Sequence, residues 1–582
     1  MAFYYSSDRN VQMLVYLLKE NGIKKVIASP GTANAAFVAS VQHDPFFEVY
    51  SAIDERGAAY MACGLSFESG EPVVITCTGA TASRNYLPGL TEAFYRKLPI
   101  LAITGAHDYS SAGNLLPQFI DRSTHPVDAV KYSVHLQKIK DEKDEKDCNL
   151  KINRAILELT RNGGGPVHID ITSNNTPFDV KELPPTRVIR RYTLASKLPQ
   201  ISVNGKIAVS VGAHKPMSQE LTTLIDKFCA TYNAVVFVDH SSNYKGAYKF
   251  LPTIVSSQEK YKSHIFDIDL LIHIGEHSGD YYTFFKLPKA KEVWRVSEDG
   301  EVRDTFGKLT KIFDMREEDF FKHYATEGNA EKSYLEECRK EAAHTYNKIP
   351  ELPLSNIWIA KTITQRLPKN SAVHIGVSNT MRAWTFFELP ETVLSVANVG
   401  VRGIDGAISS ALGMSLADRN RIHYCVLGDL TFFYNINALG NRQVGSNLRI
   451  LLINNGKGTE FCLYPHIGRR YMNSEVEKFV AAGGHNGNKS DTLVKHFSED
   501  LGFTYLSAST KEEALKELDV FLDEKMSEKP ILFEVFTDSE DENEALKLIR
   551  NIREDTTGFL KGKMKEVLGE KGISKVKNLL KK

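Results

Sequence analysis

HYCVLGDL (423–430) and LRILLINN (448–455) decide the fold of this chain. Each is an almost unbroken apolar run that stops at turn-forming residues, Gly428-Asp429 in one and Asn454-Asn455 in the other. Runs of that kind are strands buried on both faces, as in parallel sheets covered by helices. Ligands of such sheets sit beyond the carboxyl ends of the strands. Asp429 closes the first strand, and Asn454 follows 24 residues after Leu430. Two neighbouring strand ends can place a carboxylate and an amide oxygen on one hard cation. Magnesium takes such oxygens in an octahedron completed by phosphate and water. Gly428 lets the backbone approach a diphosphate, and TFFYNINALG (431–440) can open a helix whose N-terminus faces it. The bland alternative is an Asp that caps a strand end and an Asn pair that makes a turn.

The same grammar recurs outward in both directions. KKVIASPG, EPVVITCTG, LPILAITG, KIAVSVG, AVVFVDH, DLLIHIG, SAVHIG and PILFEVFTD read as further strands alternating with helical stretches. Three blocks result, 1–180, 190–340 and 350–540, joined by the Pro-rich segments KELPPTR and YNKIPELPLSN. KDEKDEKD (140–147) interrupts the first block as a solvated loop or helix end. A lysine-rich tail, 541–582, has the pattern of amphipathic helices. A formal net charge of +0 gives no basic field to draw nucleic acid or an anionic membrane. No apolar run is long enough to span a membrane, and MAFYYSSDRN lacks the build of a signal peptide. Seven scattered cysteines without a Cys-x-x-Cys pair read as buried free thiols in a cytoplasmic protein.

The Gly-Asp-Leu triplet and the double Asn resemble the signature of thiamine-diphosphate enzymes, in which the third residue is commonly Gly. The Leu variant is similar to that of the menaquinone-pathway SEPHCHC synthases, which join 2-oxoglutarate to isochorismate. The likeness extends through SPGTANAAF (29–37), DERGAAYMACGLSFESGEPVVITCTGATASRNYLP (from Asp54), SNTMR (378–382), NVGVRGIDGAISSALG (398–413) and GDLTFFYNINALGNRQV (428–444). It implies an α/β chain of three doubly wound parallel-sheet domains, pyrimidine-binding, central Rossmann-like and diphosphate-binding, with thiamine diphosphate and Mg2+ as cofactors. Asp429, the Asn455 side chain and the Lys457 carbonyl match the metal ligands. Glu55, in SAIDERGAA, matches the glutamate that bonds the cofactor's aminopyrimidine ring. A carboxylate there favours the tautomer that takes up the thiazolium proton, which is acid–base catalysis relayed through a cofactor. A surface ion pair among Asp54, Glu55 and Arg56 is the alternative. Ile404 matches the aliphatic residue that props the cofactor, against a plain core isoleucine. Gly428, Leu430 and Ser378 are further cofactor positions, with Thr78 and Gly79 on the pyrimidine side. Family members hold the two ends of the cofactor on different subunits, so the resemblance implies a homodimer, or a dimer of dimers, with active sites at the interface.

The substrate positions depart from the synthase pattern. Those enzymes handle polycarboxylates, for which bidentate arginine is suited. Here Ala33 and Val399 stand at two arginine positions, His107 falls near a third, and Asp280 near a lysine. Gln118, Ser378 and Arg382 are retained and Arg402 is added. A site with fewer cations disfavours extra carboxylates. The expected donor is a 2-oxo acid whose single carboxylate meets Arg382 or Arg402. It would be decarboxylated, with or without transfer of the acyl-anion equivalent to an acceptor carbonyl or enone, the work of a lyase or transferase. His107 and His466 are candidates for proton transfer at neutral pH, or are loop histidines bonded to backbone. Asp280 and His277 could read hydroxyls on an acceptor. Genuine synthase activity and a non-catalytic scaffold stay open as alternatives. The joint presence of Glu55, Asp429 and Asn455 argues against the scaffold.

Overall fold

The computed structural model describes residues 4–111, 113–122, 124–173, 177–203, 205–326, 332–472 and 475–554. The lysine-rich tail beyond 554 lies outside the described residues. The chain divides into two compact units, Met1–Ser196 with Gly300–Asp314, and Lys197–Asp299 with Met315–Lys582.

In the first unit, β1 (Lys25–Ala28), β2 (Glu48–Ser51), β3 (Val73–Cys77), β4 (Ile100–Ala106), β5 (Tyr132–Leu136) and β6 (Val167–Thr172) form one parallel sheet in the order β2-β1-β3-β4-β6-β5. Alternate residues of the same strands enter two separate apolar clusters. Val26, Val74 and Leu101 pack with Leu14 and Ile152 on one face. Ile27, Ile75 and Ala102 pack with Ala58, Ala62 and Leu90 on the other. That two-residue period, apolar at both phases, is what makes the strands unbroken hydrophobic runs. Helix α1 (Glu55–Ser69) is capped by the Asp54 carboxylate, which accepts from the Arg56 and Gly57 amides, and ends on Gly70 in the left-handed region at φ 67°. KDEKDEKD proves to be a helix start. Asp141 caps α2 (Glu142–Glu158), and Glu142, Asp144 and Glu145 sit in its first turn, where the helix dipole favours acids. Arg190–Thr193 and Leu309–Asp314 add a short parallel pair in this unit.

The second unit holds two sheets. β7 (Ile207–Val211), β8 (Val235–Phe237), β9 (Lys249–Phe250), β10 (Leu270–Ile274) and β11 (Glu292–Ser297) run parallel in the order β9-β8-β7-β10-β11. β12 (Ala372–Ile375), β13 (Leu394–Val396), β14 (His423–Gly428), β15 (Leu448–Asn454), β16 (Thr504–Ala508) and β17 (Ile531–Phe536) form a parallel sheet ordered β13-β12-β14-β15-β17-β16. This is the strand order of the first unit's sheet repeated. Helices α3 (Asn379–Trp384), α4 (Ala407–Ala417) and α5 (Asp429–Tyr434) follow β12, β13 and β14. Helix α6 (Ser539–Arg550) spans position 541, where the tail was expected to begin, and buries Ala545, Leu546 and Ile549. All seven cysteines are free and buried. No helix of the described residues is long and apolar enough to cross a membrane.

Candidate active site

β14 and β15 are hydrogen-bonded neighbours with Gly428 opposite Ile453, so Asp429 and the Asn454-Asn455 pair reach the same sheet edge. Asp429 is 6% exposed, and its Oδ1 accepts from the Leu430 amide at 2.8 Å. Burial pushes its carboxyl up to about 7 against the opposing effect of the Leu430 and Gly456 amides, and the negative charge of Glu534 adds to the rise. No cation is among the leading influences on it. Asn454 donates to Glu534 Oε1 at 2.6 Å and accepts from the Gly456 amide at 3.2 Å. Asn455 is half-buried, and its Oδ1 accepts from the Thr459 hydroxyl at 2.6 Å. The Lys457 side chain turns away to Glu477, 2.8 Å distant, and its carbonyl accepts from the Thr459 amide. Gly456 makes this turn at φ 76°. Gly428 and Leu430 flank Asp429 half-buried, and a Cβ on Gly428 would meet nothing nearer than 4.0 Å.

Ser378, Arg382 and Arg402 gather around the neighbouring strand ends, beside the loop that carries Asp280 and Tyr281. Ser378 caps α3 at φ 71° and ψ −129°, a conformation that costs about 1–3 kcal/mol in a residue other than glycine. Its hydroxyl donates to Glu460 Oε2 at 3.1 Å. Arg382, one turn on, grips both oxygens of the same carboxylate, with Nη2 to Oε1 at 2.5 Å. Burial drives the Glu460 carboxyl up, but the Arg382 charge and hydrogen bonds, with Ser378, outweigh it and leave it below its ordinary value. Arg402 is exposed at φ 55°, donates to the Ser278 carbonyl at 3.0 Å and has no ion pair among the described residues. Both guanidiniums lie over the Tyr281 ring. Asp280 is 2% exposed and faces inward. It accepts from the Thr253 hydroxyl at 2.8 Å and from the Tyr282 and Thr283 amides, which fix the loop that carries Tyr281. His277 is exposed on that loop. His466 Nδ1 accepts from the Gly468 amide at 2.9 Å, the backbone-bonded alternative for this residue. Ile404 is half-buried just before α4, and Val399 is buried.

In the first unit, Glu55 is half-buried at the first position of α1 and accepts from Asn85 Nδ2 at 3.0 Å. Asp54 is turned to its capping role, and no ion pair joins Asp54, Glu55 and Arg56. Thr78 and Gly79 follow β3. A Cβ on Gly79 would lie 2.5 Å from Arg122 Nη1 and 2.8 Å from the Gly105 carbonyl, so only glycine fits there. Arg122 is buried in a bidentate pair with Asp170, which also accepts from the Thr104 hydroxyl at 2.7 Å. His107, at the end of β4, and Gln118, at φ 60°, are exposed.

The N-terminal cofactor-binding domain of the thiamine pyrophosphate enzymes matches residues 9–130. Curated proteins similar over most of the chain include 2-succinyl-5-enolpyruvyl-6-hydroxy-3-cyclohexene-1-carboxylate synthases. Those of Phocaeicola vulgatus and Bacteroides fragilis are 31% identical, and that of Bacteroides thetaiotaomicron 30%. Each alignment covers 93% of this chain and 98% of the synthase. This chain belongs to the thiamine pyrophosphate enzyme family.

A thiamine pyrophosphate enzyme needs a carboxylate for the pyrimidine and oxygen ligands for the ion that carries the diphosphate. Asp429 fits the second need. It is a buried carboxylate with no ion pair among the described residues, and such a charge is costly unless something positive joins it. Among the described residues no cluster of three His, Cys, Asp or Glu side chains could hold a metal by itself. An ion held by one carboxylate, amide and backbone oxygens, and phosphate needs no such cluster. Glu460, Tyr281, Glu534 and Asn85 were not singled out from the sequence. Glu460 lies 78 residues from Arg382 and Asn85 lies 30 from Glu55, so no local pattern could have paired them.

Proposed function

We propose that the protein uses thiamine diphosphate and Mg2+ to decarboxylate a 2-oxo acid, with or without passing the acyl-anion equivalent to an acceptor carbonyl or enone. The observation that carries this reading is the uncompensated Asp429 carboxylate at the edge shared with Asn454 and Asn455. Bound, the cofactor supplies a carbon nucleophile and stabilises the negative charge left when CO2 departs. Asp429, the Asn455 amide oxygen and the Lys457 carbonyl hold the magnesium. Gly428, Leu430 and Ser378 line the diphosphate and thiazolium side, and Ile404 props the cofactor. Glu55 holds or releases a proton on the pyrimidine ring, with Asn85 orienting it, and Thr78 and Gly79 bound that ring. His107 and Gln118 face the substrate, and Arg402 holds the donor carboxylate.

The working form is a homodimer or dimer of dimers with shared active sites, in the cytoplasm. In support, Ile53, just before the helix that Glu55 opens, and Tyr60, Met61 and Phe67 along it are exposed, a run of apolar side chains that a partner could cover. The first sheet then serves the pyrimidine and the third the diphosphate, with the central sheet structural.

The test is a panel of 2-oxo acids, each with the full chain, thiamine diphosphate and magnesium, assayed for CO2 with and without carbonyl acceptors. At least one donor should release CO2, and chelation of the metal should stop it. Silence across the panel would refute the reading. The full-length similarity favours a second reading, the synthase reaction itself, and decay of isochorismate absorbance with 2-oxoglutarate would establish that one.

A further inference from the structure

Two guanidiniums share one tyrosine ring and meet different fates. Arg382 and Arg402 lie 4.9 and 4.5 Å from the centre of Tyr281. Arg382 has only 12% of its side chain exposed, and Glu460 fills its fork. Arg402 is open to solvent, bonded to a carbonyl and to no carboxylate among the described residues. Arg382 and its partner Glu460 follow β12 and β15, the two strands flanking β14, whose end bears Asp429, and Arg402 follows β13. The Arg382–Glu460 ion pair therefore spans the strand end at which a substrate carbonyl would approach.

We infer that Glu460 is a built-in stand-in for a substrate carboxylate, which occupies Arg382 and so makes the site select 2-oxo acids whose far end is uncharged. The inference rests on the 2-oxo acid reading above and names the specificity of that site. Of the two guanidiniums Arg402 remains open, enough for the carboxylate that every 2-oxo acid carries. A second carboxylate arriving at Arg382 meets Glu460 already seated in bidentate geometry, the strong form of this contact. Displacing it strands a partly desolvated charge, and leaving it in place sets two anions side by side. Either cost discriminates against the dianion.

The experiment uses the full chain loaded with thiamine diphosphate and magnesium. Calorimetry measures the dissociation constants of glutarate, a dianion, and of its monoamide, a monoanion of nearly the same shape. The wild type should favour the monoamide by about tenfold or more. Glu460→Gln, which keeps the shape but frees Arg382, should reverse that preference. Adding Arg382→Met should abolish the reversal, and Arg402→Met should weaken both ligands. An equal ratio in wild type and Glu460→Gln, or binding of neither ligand, overturns the inference. If Glu460→Gln does not fold, the wild-type ratio decides alone, and tighter glutarate overturns it. Absence of heat with the cofactor itself sinks the functional reading and this inference with it. Normal cofactor heat with an unchanged ratio sinks the inference alone.

Discussion

The first and third sheets are the same six-stranded arrangement in opposite electrostatic dress. Both run in the order 2-1-3-4-6-5, counting strands within each sheet. In the first, the buried polar interior is neutral or paired. Asp170 is matched by Arg122, and His168 is held uncharged, because burial and the nearby His125 and Arg122 push its pKa well down. In the third, Glu460 is paired with Arg382, but the more deeply buried acids Asp429, Glu534 and Glu542 have no ion pair among the described residues. Burial raises Asp429, Glu534 and Glu542, and each is answered only by amides and hydroxyls. One topology thus gives a self-sufficient polar core in one place and an unbalanced negative edge in another. The lesson is that strand order sets where ligands approach, and charge balance at the strand ends sets which ligand. An edge that keeps its acids unpaired invites a cation, whereas a balanced edge suits a neutral ring.

The comparison breaks most visibly at Glu55. Glu55→Gln should still bind the cofactor within a few-fold but lose turnover on the order of 10²–10⁴-fold, since only proton transfer is damaged. Parallel calorimetry and steady-state rates check this, and equal losses in both would deny Glu55 a purely catalytic part. Arg122→Met strands the buried Asp170 charge and should destabilise the chain by about 3–5 kcal/mol in denaturant unfolding. Adding Asp170→Asn should recover much of that. If Arg122→Met costs nothing, the first sheet's balance is not what holds it. Asp429→Ala should weaken magnesium and cofactor together by about 100-fold or more, a larger loss than removing an outer partner of a metal ligand typically causes. Unchanged affinities would remove Asp429 from the metal site.

The smallest effect concerns pH, where the two sheets should pull in opposite directions. Glu542 is raised from 4.5 to about 7, so the folded state holds a proton that the unfolded chain releases. Stability from this group is therefore lost as pH rises from about 4.5 to 7, by at most roughly 3–4 kcal/mol at 1.36 kcal/mol per pH unit. His168 is lowered from 6.5, so the unfolded chain binds the proton first and stability falls as pH drops through 6.5. Melting temperatures across pH 5–8 should show Glu542→Gln flattening the alkaline loss alone.

Ten apolar runs legible in the sequence, from KKVIASPG to PILFEVFTD, coincide with strands at 25–28, 73–77, 100–106, 207–211, 235–237, 270–274, 372–375, 423–428, 448–454 and 531–536. Every one lies in the interior of its sheet. The edge strands Glu48–Ser51, Tyr132–Leu136, Leu394–Val396 and Thr504–Ala508 are half-exposed and carry no such run, because one flank of each meets no neighbouring strand.

The sequence by itself determined the α/β class, the interior strands and the Gly-Asp-Leu and Asn-Asn strand ends, and with them the cofactor family. These are local signals, a two-phase apolar run and a spacing along one chain. Only the tertiary structure decided which charges are balanced. It showed that Asp280 is turned inward, that Asn85 holds Glu55 and that Glu460 sits in the fork of Arg382. Those facts depend on side chains 27, 30 and 78 residues apart meeting in space. The energy of a charge is set by its neighbours and its burial, and neither is written in the residues beside it.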